Sequence, residues 1–235
     1  YPIIMGWQWG GGWLASIGFS DFAGSTLVHS TGGAAALAGI MILGPRFGRF
    51  TKSGAPTPIK PFAASSIPLV TIGVFVLWLG WFGFNGGSQL ALGSFADAVA
   101  ISTIFINTNL AACGGVLAAA VITRLLFTKT DVIQMLNGAI GGLVAITAEP
   151  LAPTPLGGVI VVFGTKLLFS FKLDDVVGAV PAHMFAGIFG TLIVPMTNTD
   201  ATFSVQLIGV LSINIFVFVV AYIIWTIMNS LFGIR

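Results

Sequence analysis

Long apolar stretches, separated by short polar or glycine- and proline-rich joints, run the length of the chain. A bilayer core about 30 Å thick takes roughly 20 apolar residues as a helix. By that measure the pattern predicts a partial span over about 1–18 and further spans over 22–44, 63–85, 98–123, 134–149, 156–172, 176–195 and 204–232. The fifth and sixth are short and bounded by glycine and proline. Eight spans put both chain ends on one side.

The polar positions test this count independently. One loop carries Arg46, Arg49, Lys52 and Lys60, the next holds Arg124 and Lys129, a third holds Lys166 and Lys172, and Arg235 follows the last span. The loops around 19–21, 86–97, 150–155 and 196–203 contain no lysine or arginine. All nine basic residues therefore fall on alternate sides of the count, which is the positive-inside pattern. The basic loops and the C-terminus are expected in the cytoplasm, with Asp97, Glu149 and Asp200 near the outer face of a plasma or inner membrane.

Composition closes off the other classes. Of 235 residues, 56% are hydrophobic and 7% charged, and the mean hydropathy is +1.03. A soluble globule carries roughly 25% charge, so sixteen charged side chains cannot clothe one. Disorder is excluded by the same apolar excess. The fold class is an all-α polytopic membrane protein. Nine scattered basic residues are too few for nucleic acid. The single Cys113, in the small-residue run Ala111–Gly115, reads as a helix-packing residue and excludes an internal disulfide or thiolate metal site. The opening Tyr1-Pro2-Ile3-Ile4, without initiator methionine or signal peptide, reads as part of a longer protein, incomplete at its N-terminus.

Small residues recur at spacing four, as in Gly6/Gly10, Ala35/Gly39, Gly83/Gly87 and Gly138/Gly142, and such spacing lets helix backbones approach closely. Both histidines lie inside predicted spans and share one pattern. Asp21-x2-Gly24-x4-His29-x3-Gly33 on the second span matches Asp175-x2-Gly178-x4-His183-x3-Gly187 on the seventh. The two spans run in opposite directions, as an inverted repeat with a site near the midplane requires. Helical projection puts Gly33 and Ala36 on the face of His29, and Gly187 and Gly190 on that of His183, which predicts space beside each ring. Ionisable groups at this depth are usually functional, so His29 and His183 are read as pore-lining, able to share a proton between facing rings. Asp21 and Asp175, about 12 Å below, are expected to cap their helices. A core pair of histidines with capping acids is the plainer alternative.

At the outer ends, Trp7, Trp9 and Trp13 flank Gly10–Gly12, and the third span ends Trp78-Leu-Gly-Trp81-Phe82-Gly83-Phe84-Asn85-Gly86-Gly87-Ser88. Indole faces attract cations, a serine hydroxyl accepts from a donor-rich ion, and Phe84 is placed to occlude a passage behind them. An interfacial aromatic belt is the plainer reading.

Together Trp9-Gly-Gly-Gly12, Asp21–His29, Trp81–Ser88 and Asp174–His183 resemble the ammonium transporter (Amt/Mep/Rh) family over essentially the whole chain. The resemblance implies eleven spans in a five-plus-five inverted repeat with an extra C-terminal helix, a homotrimer, and a chain covering spans four to eleven as one membrane domain, 1–235. It implies that Trp9 and Ser88 form an external ammonium recruitment site, that Phe84 is one of two stacked gating phenylalanines (the other in the absent third span), and that Asp21 is the buried acid supporting the substrate site. It implies that His29 and His183 are the paired pore histidines. Two departures stand out: Met184 follows His183 where a small residue is common, and the sixth span near Thr154–Gly158 looks short. The function expected is transport of ammonium, recruited as NH4+ and conducted largely as NH3, with the lipid bilayer and ammonium or ammonia as partners. A sensor coupled to a cytoplasmic regulatory protein or fused signalling domain is the rival, and a neutral gas channel the third reading. No metal-ligand cluster, phosphate loop or nucleophile–base pair points to an enzyme, a metal or a cofactor.

Overall fold

The computed structural model describes residues 1–50, 62, 64–152 and 157–234. Lys52, Lys60, Arg235 and the Thr154–Leu156 part of the short sixth-span segment lie outside the described residues. Helices account for the described elements: α1 (Pro2–Gln8), α2 (Trp13–Ser16), α3 (Ser25–Leu43), α4 (Ile67–Gly87), α5 (Phe95–Phe127), α6 (Val132–Ile146), α7 (Gly157–Ser170), α8 (Val180–Met196) and α9 (Phe203–Phe232). Among the described residues α3, α4, α5 and α9 are long and apolar enough to cross a membrane, and α6, α8 and the Ile160–Ser170 part of α7 are shorter apolar helices.

Their ends follow local chemistry. Pro68 sits in the first turn of α4, where a missing N–H costs nothing, and Ser66 Oγ accepts the amide of Leu69. Ser94 and Asp97 form a reciprocal capping box that starts α5 three residues ahead of its expected boundary. Asp131 Oδ1 accepts the Gln134 amide and opens α6. Where a partial span was expected over 1–18, the chain instead turns at Gly10–Gly12 between two short helices. Lys166, assigned to a loop, lies exposed on α7.

The centre of the bundle is a set of very close helix crossings. A Cβ on Gly115 of α5 would strike the Gly138 carbonyl of α6, and one on Gly142 would strike the Ala111 carbonyl. Helix α8 crosses α6 at Gly190 against Ala145, and crosses α3 at Gly187 against the Ser25 carbonyl. Residues from Gly138 to Ile146 of α6 are buried as a result. The spacing-four rule works here and fails elsewhere: a Cβ on Gly83 or Gly87 meets nothing within 4 Å. Cys113 is exposed, contrary to its expected packing role. The helical period puts Ala111, Ala112, Gly115 and Ala119 on the buried face and turns position 113 away.

Opposite the aromatic end, Asp174 draws the loop after α3 against the loop before α8. Arg46 donates from Nε at 2.7 Å, from Nη2 at 2.8 Å and from its backbone N–H at 2.9 Å, and Arg49 Nε adds a contact at 3.2 Å. Burial works against the Asp174 charge, but the Arg46 guanidinium beside it holds the carboxyl below the usual range. The guanidinium groups also lie over Phe62 and Phe169, each 4.7 Å from the ring centre.

Candidate functional site

Asp21 and Asp175 each organise the start of a histidine-bearing helix. Asp21 Oδ1 accepts the Gly24 and Ser25 amides at 3.0 and 2.8 Å, and Oδ2 accepts those of Thr26 and Leu27 at 2.9 Å each. Asp175 Oδ1 accepts the Gly178 and Ala179 amides at 3.0 Å each, and Oδ2 accepts that of Val180 at 2.8 Å. To aim successive N–H groups at one carboxylate, the chain passes through left-handed backbone at Gly24 (φ +111°) and Gly178 (φ +76°). That is the physical content of the Asp-x2-Gly pattern, because a Cβ makes this conformation costly.

Both helices then open as π-helix, over Ser25–Ser30 and Val180–Phe185, before tightening to α. The His29 amide bonds five residues back, to the Gly24 carbonyl at 3.0 Å. Such wide turns cluster at functional sites. They also undo the α-helical projection used to predict space beside the rings. Gly33 packs on Met184, Gly187 on Ser25 and Gly190 on Ala145, so these glycines seat neighbouring helices and leave no open space.

What they permit is the approach of the two histidines. His29 and His183 face one another Nδ1 to Nδ1 at 3.3 Å, with ring centroids 5.4 Å apart and planes 24° from parallel. A hydrogen bond between two neutral imidazoles needs one Nδ1–H donor and one bare Nδ1 acceptor. The rings must then be opposite tautomers, so one Nε2 accepts and the other donates. His29 Nε2 is buried and has no hydrogen-bond partner among the described residues.

Aromatic rings close over this pair. Trp81 stacks on His29 with centroids 4.7 Å apart and planes 16° from parallel, and Phe84 tilts against the same imidazole at 5.3 Å. Phe84 remains 37% exposed, whereas Trp81 is 5% exposed. Ser88 Oγ donates to the Phe84 carbonyl at 2.7 Å, which spends its proton and leaves its lone pairs as acceptors. Trp9 Nε1 donates to the Asp21 carbonyl at 3.0 Å, while its ring is 44% exposed. Trp7, by contrast, packs into the fold, 5.9 Å from Trp13 and 5.0 Å from Phe216.

The structure thus brings His29, His183 and Phe84 together, ties Trp9 to Asp21 through the backbone, and sets Ser88 one turn beyond Phe84. The carboxylate of Asp21 is wholly committed to four amides, so its contribution to a binding site runs through the helix it caps. Trp81, Thr147 and Asn85 were missing from the residues selected by sequence. Trp81 stood inside the aromatic motif, but nothing in the spacing signalled that it would meet His29. Among the described residues no three His, Cys, Asp or Glu side chains gather as a metal would need.

The whole chain has counterparts among known proteins. The Ammonium Transporter Family matches residues 1–235. A putative ammonium transporter of Synechocystis sp. is 41% identical over 246 aligned residues, covering all of this chain and 54% of that protein. Ammonium transporter Amt2 of Archaeoglobus fulgidus is 44% identical over 210 residues, covering 82% of this chain and 43% of that protein. The chain therefore spans about half the length of the curated relatives it matches. Among solved structures, a sensor Amt protein superposes with a TM-score of 0.90 at 30% identity, covering 99% of this chain and 62% of that one. Candida albicans Mep2 superposes at 0.83 with 29% identity, covering 97% and 55%.

Proposed function

The chain belongs to the ammonium transporter family, and on that premise we propose that it moves ammonium nitrogen across a membrane past His29 and His183. It is a multi-pass membrane protein. The observation that carries the reading is the imidazole pair, joined at Nδ1, with a buried Nε2 on His29 that has no partner among the described residues. A small solute that both donates and accepts hydrogen bonds suits the donor and acceptor that the two Nε2 atoms present.

The discrimination problem is NH4+ against K+, which has nearly the same size. Ammonium has four directional N–H donors and a proton it can surrender. In this reading Trp9 and Ser88 recruit the cation at the outer mouth, the indole face through its quadrupole and the hydroxyl through its lone pairs. Phe84 stands between mouth and histidines as a gate. Carrying an intact charge past apolar rings costs several kcal/mol at least. Losing the proton at the gate avoids that cost, and NH3 then passes the imidazoles with its hydrogen bonds maintained. Potassium has no such route. Asp21 and Asp175 hold the histidine helices in place and do not touch the solute. Residues 1–235 act as one transporter membrane domain with the basic loops cytoplasmic, in a homotrimer.

Reconstituting the intact protein in liposomes and measuring methylammonium uptake tests this. His29→Ala and His183→Ala are each expected to abolish selective uptake, and unchanged uptake in both removes the histidines from the mechanism. A second reading, an ammonium sensor coupled to a cytoplasmic signalling module, draws support from the sensor Amt protein that superposes so well. Saturable ammonium binding without flux in the same liposomes would favour it.

A further inference from the structure

Trp81 covers one face of His29; its ring packs in the apolar core, and its indole N–H is held by a hydroxyl. Its indole N–H donates to Thr147 Oγ1 at 2.9 Å. Thr147 is fully buried at the end of α6, and its Oγ1 also lies 2.7 Å from the Leu143 carbonyl and 3.1 Å from Asn85 Oδ1. Asn85 Nδ2 in turn donates to Thr108 Oγ1 at 3.0 Å. Asn85 and Thr108 are fully buried as well. An indole nitrogen can only donate and a hydroxyl has one proton, so the polarity of the chain is fixed at its first step.

The backbone of Thr147 grips the other partner of the stack. Its carbonyl accepts the Ala23 amide at 2.9 Å, and the Ala148 carbonyl accepts that of Phe22 at 2.9 Å. Those two residues directly follow Asp21 and lead into the helix carrying His29. One residue therefore holds Trp81 by its side chain and the His29 segment by its main chain. We propose that Thr147 is a positioning residue for conduction: it sets the Trp81 indole against His29 and so keeps the imidazole turned with Nδ1 toward His183. A flip of the His29 ring would put Cδ2 where Nδ1 stands and break the contact between the histidines. The indole stacked at 4.7 Å stands in the way of that flip, and the bond from its N–H to Thr147 fixes the orientation in which it does so. This inference rests on His29 and His183 being the conducting pair.

Flux measurements on the intact protein in proteoliposomes test it. Thr147→Val keeps the shape and removes the hydroxyl, and methylammonium flux is expected to fall about three- to tenfold, the scale of one buried hydrogen bond. Thr147→Ser restores the hydroxyl and is expected to recover flux, which a purely steric role would not predict. Trp81→Phe removes the donor from the other side and should reproduce the loss; it carries the test if Thr147→Val does not fold. The losses in the double variant should fall short of the product of the two single losses, because the bond between Trp81 and Thr147 is shared by both. Wild-type flux in Thr147→Val, or losses that multiply in the double variant, overturns the inference while His29→Ala still abolishes flux. Unchanged flux in His29→Ala overturns the conducting pair and this inference with it.

Discussion

Asp21 and Asp175 do the same work unequally: both carboxylates gather the first amides of a histidine helix, but Asp21 accepts four and Asp175 three. An asparagine offers one acceptor oxygen and an NH2 that repels N–H donors. At position 175 the oxygen can take the two-amide side, stranding only the Val180 amide. At position 21 either orientation strands two. Each stranded buried N–H costs about 1–3 kcal/mol. Asp21→Asn is therefore expected to lower the thermal midpoint in detergent roughly twice as far as Asp175→Asn. Were Asp21 a direct ligand of ammonium, its asparagine variant would instead keep its midpoint and lose affinity.

The α5–α6 crossing leaves no room for a side chain at its glycines. At Gly115 an added methyl would meet the Gly138 backbone, which has no side chain to move aside. Gly115→Ala is expected to destabilise by about 1–3 kcal/mol, the scale of an overpacked core. Gly83→Ala meets open space and should be neutral or stabilising, since alanine is favoured over glycine in helices by about 0.5–1 kcal/mol. Unfolding of both variants in mixed micelles checks the contrast, and equal costs would refute the crossing.

Asp174 makes a pH prediction. Its carboxyl lies below its ordinary range because Arg46 and Arg49 favour the charged form. A depressed folded-state pKa contributes stability above the unfolded value, near 3.9, and loses it as pH falls through the folded value. Wild type should therefore exceed Asp174→Asn in thermal midpoint at neutral pH, and the gap should close below about pH 4. A gap that persists in acid would assign the effect to packing.

These cases also mark what the sequence makes legible. The Asp-x2-Gly-x4-His pattern is visible because it occurs twice on the only two histidines. Its glycine cannot be explained without the backbone, where the left-handed turn at Gly24 and Gly178 emerges. Span count follows from hydropathy, yet Gly10–Gly12 splits the first segment, because turn geometry overrides an apolar run. The glycines beside the histidines were legible as small and misread as empty, since a π-helical opening shifts the face that an α-helical projection assumes. Trp81 against His29 joins two helices through the fold alone, and no local pattern announces such a contact.

Gly33 and Met184 supply the last prediction. A Cβ on Gly33 would lie 2.5 Å from the Met184 backbone nitrogen and 2.6 Å from its Cβ. Gly33 stands one helical turn beyond His29, and Met184 directly follows His183, so any shift there separates the imidazoles. Their 3.3 Å contact has little slack, because it already lies at the long end of the hydrogen-bond range. Gly33→Ala should therefore cut methylammonium flux more than it lowers the thermal midpoint. Trimming Met184 to glycine should relieve only the Cβ clash, since the backbone nitrogen stays in place, so Gly33→Ala/Met184→Gly should recover only part of the flux. Full recovery would show that the Met184 side chain alone sets the spacing. Wild-type flux in Gly33→Ala would mean that the two histidines need not touch for transport.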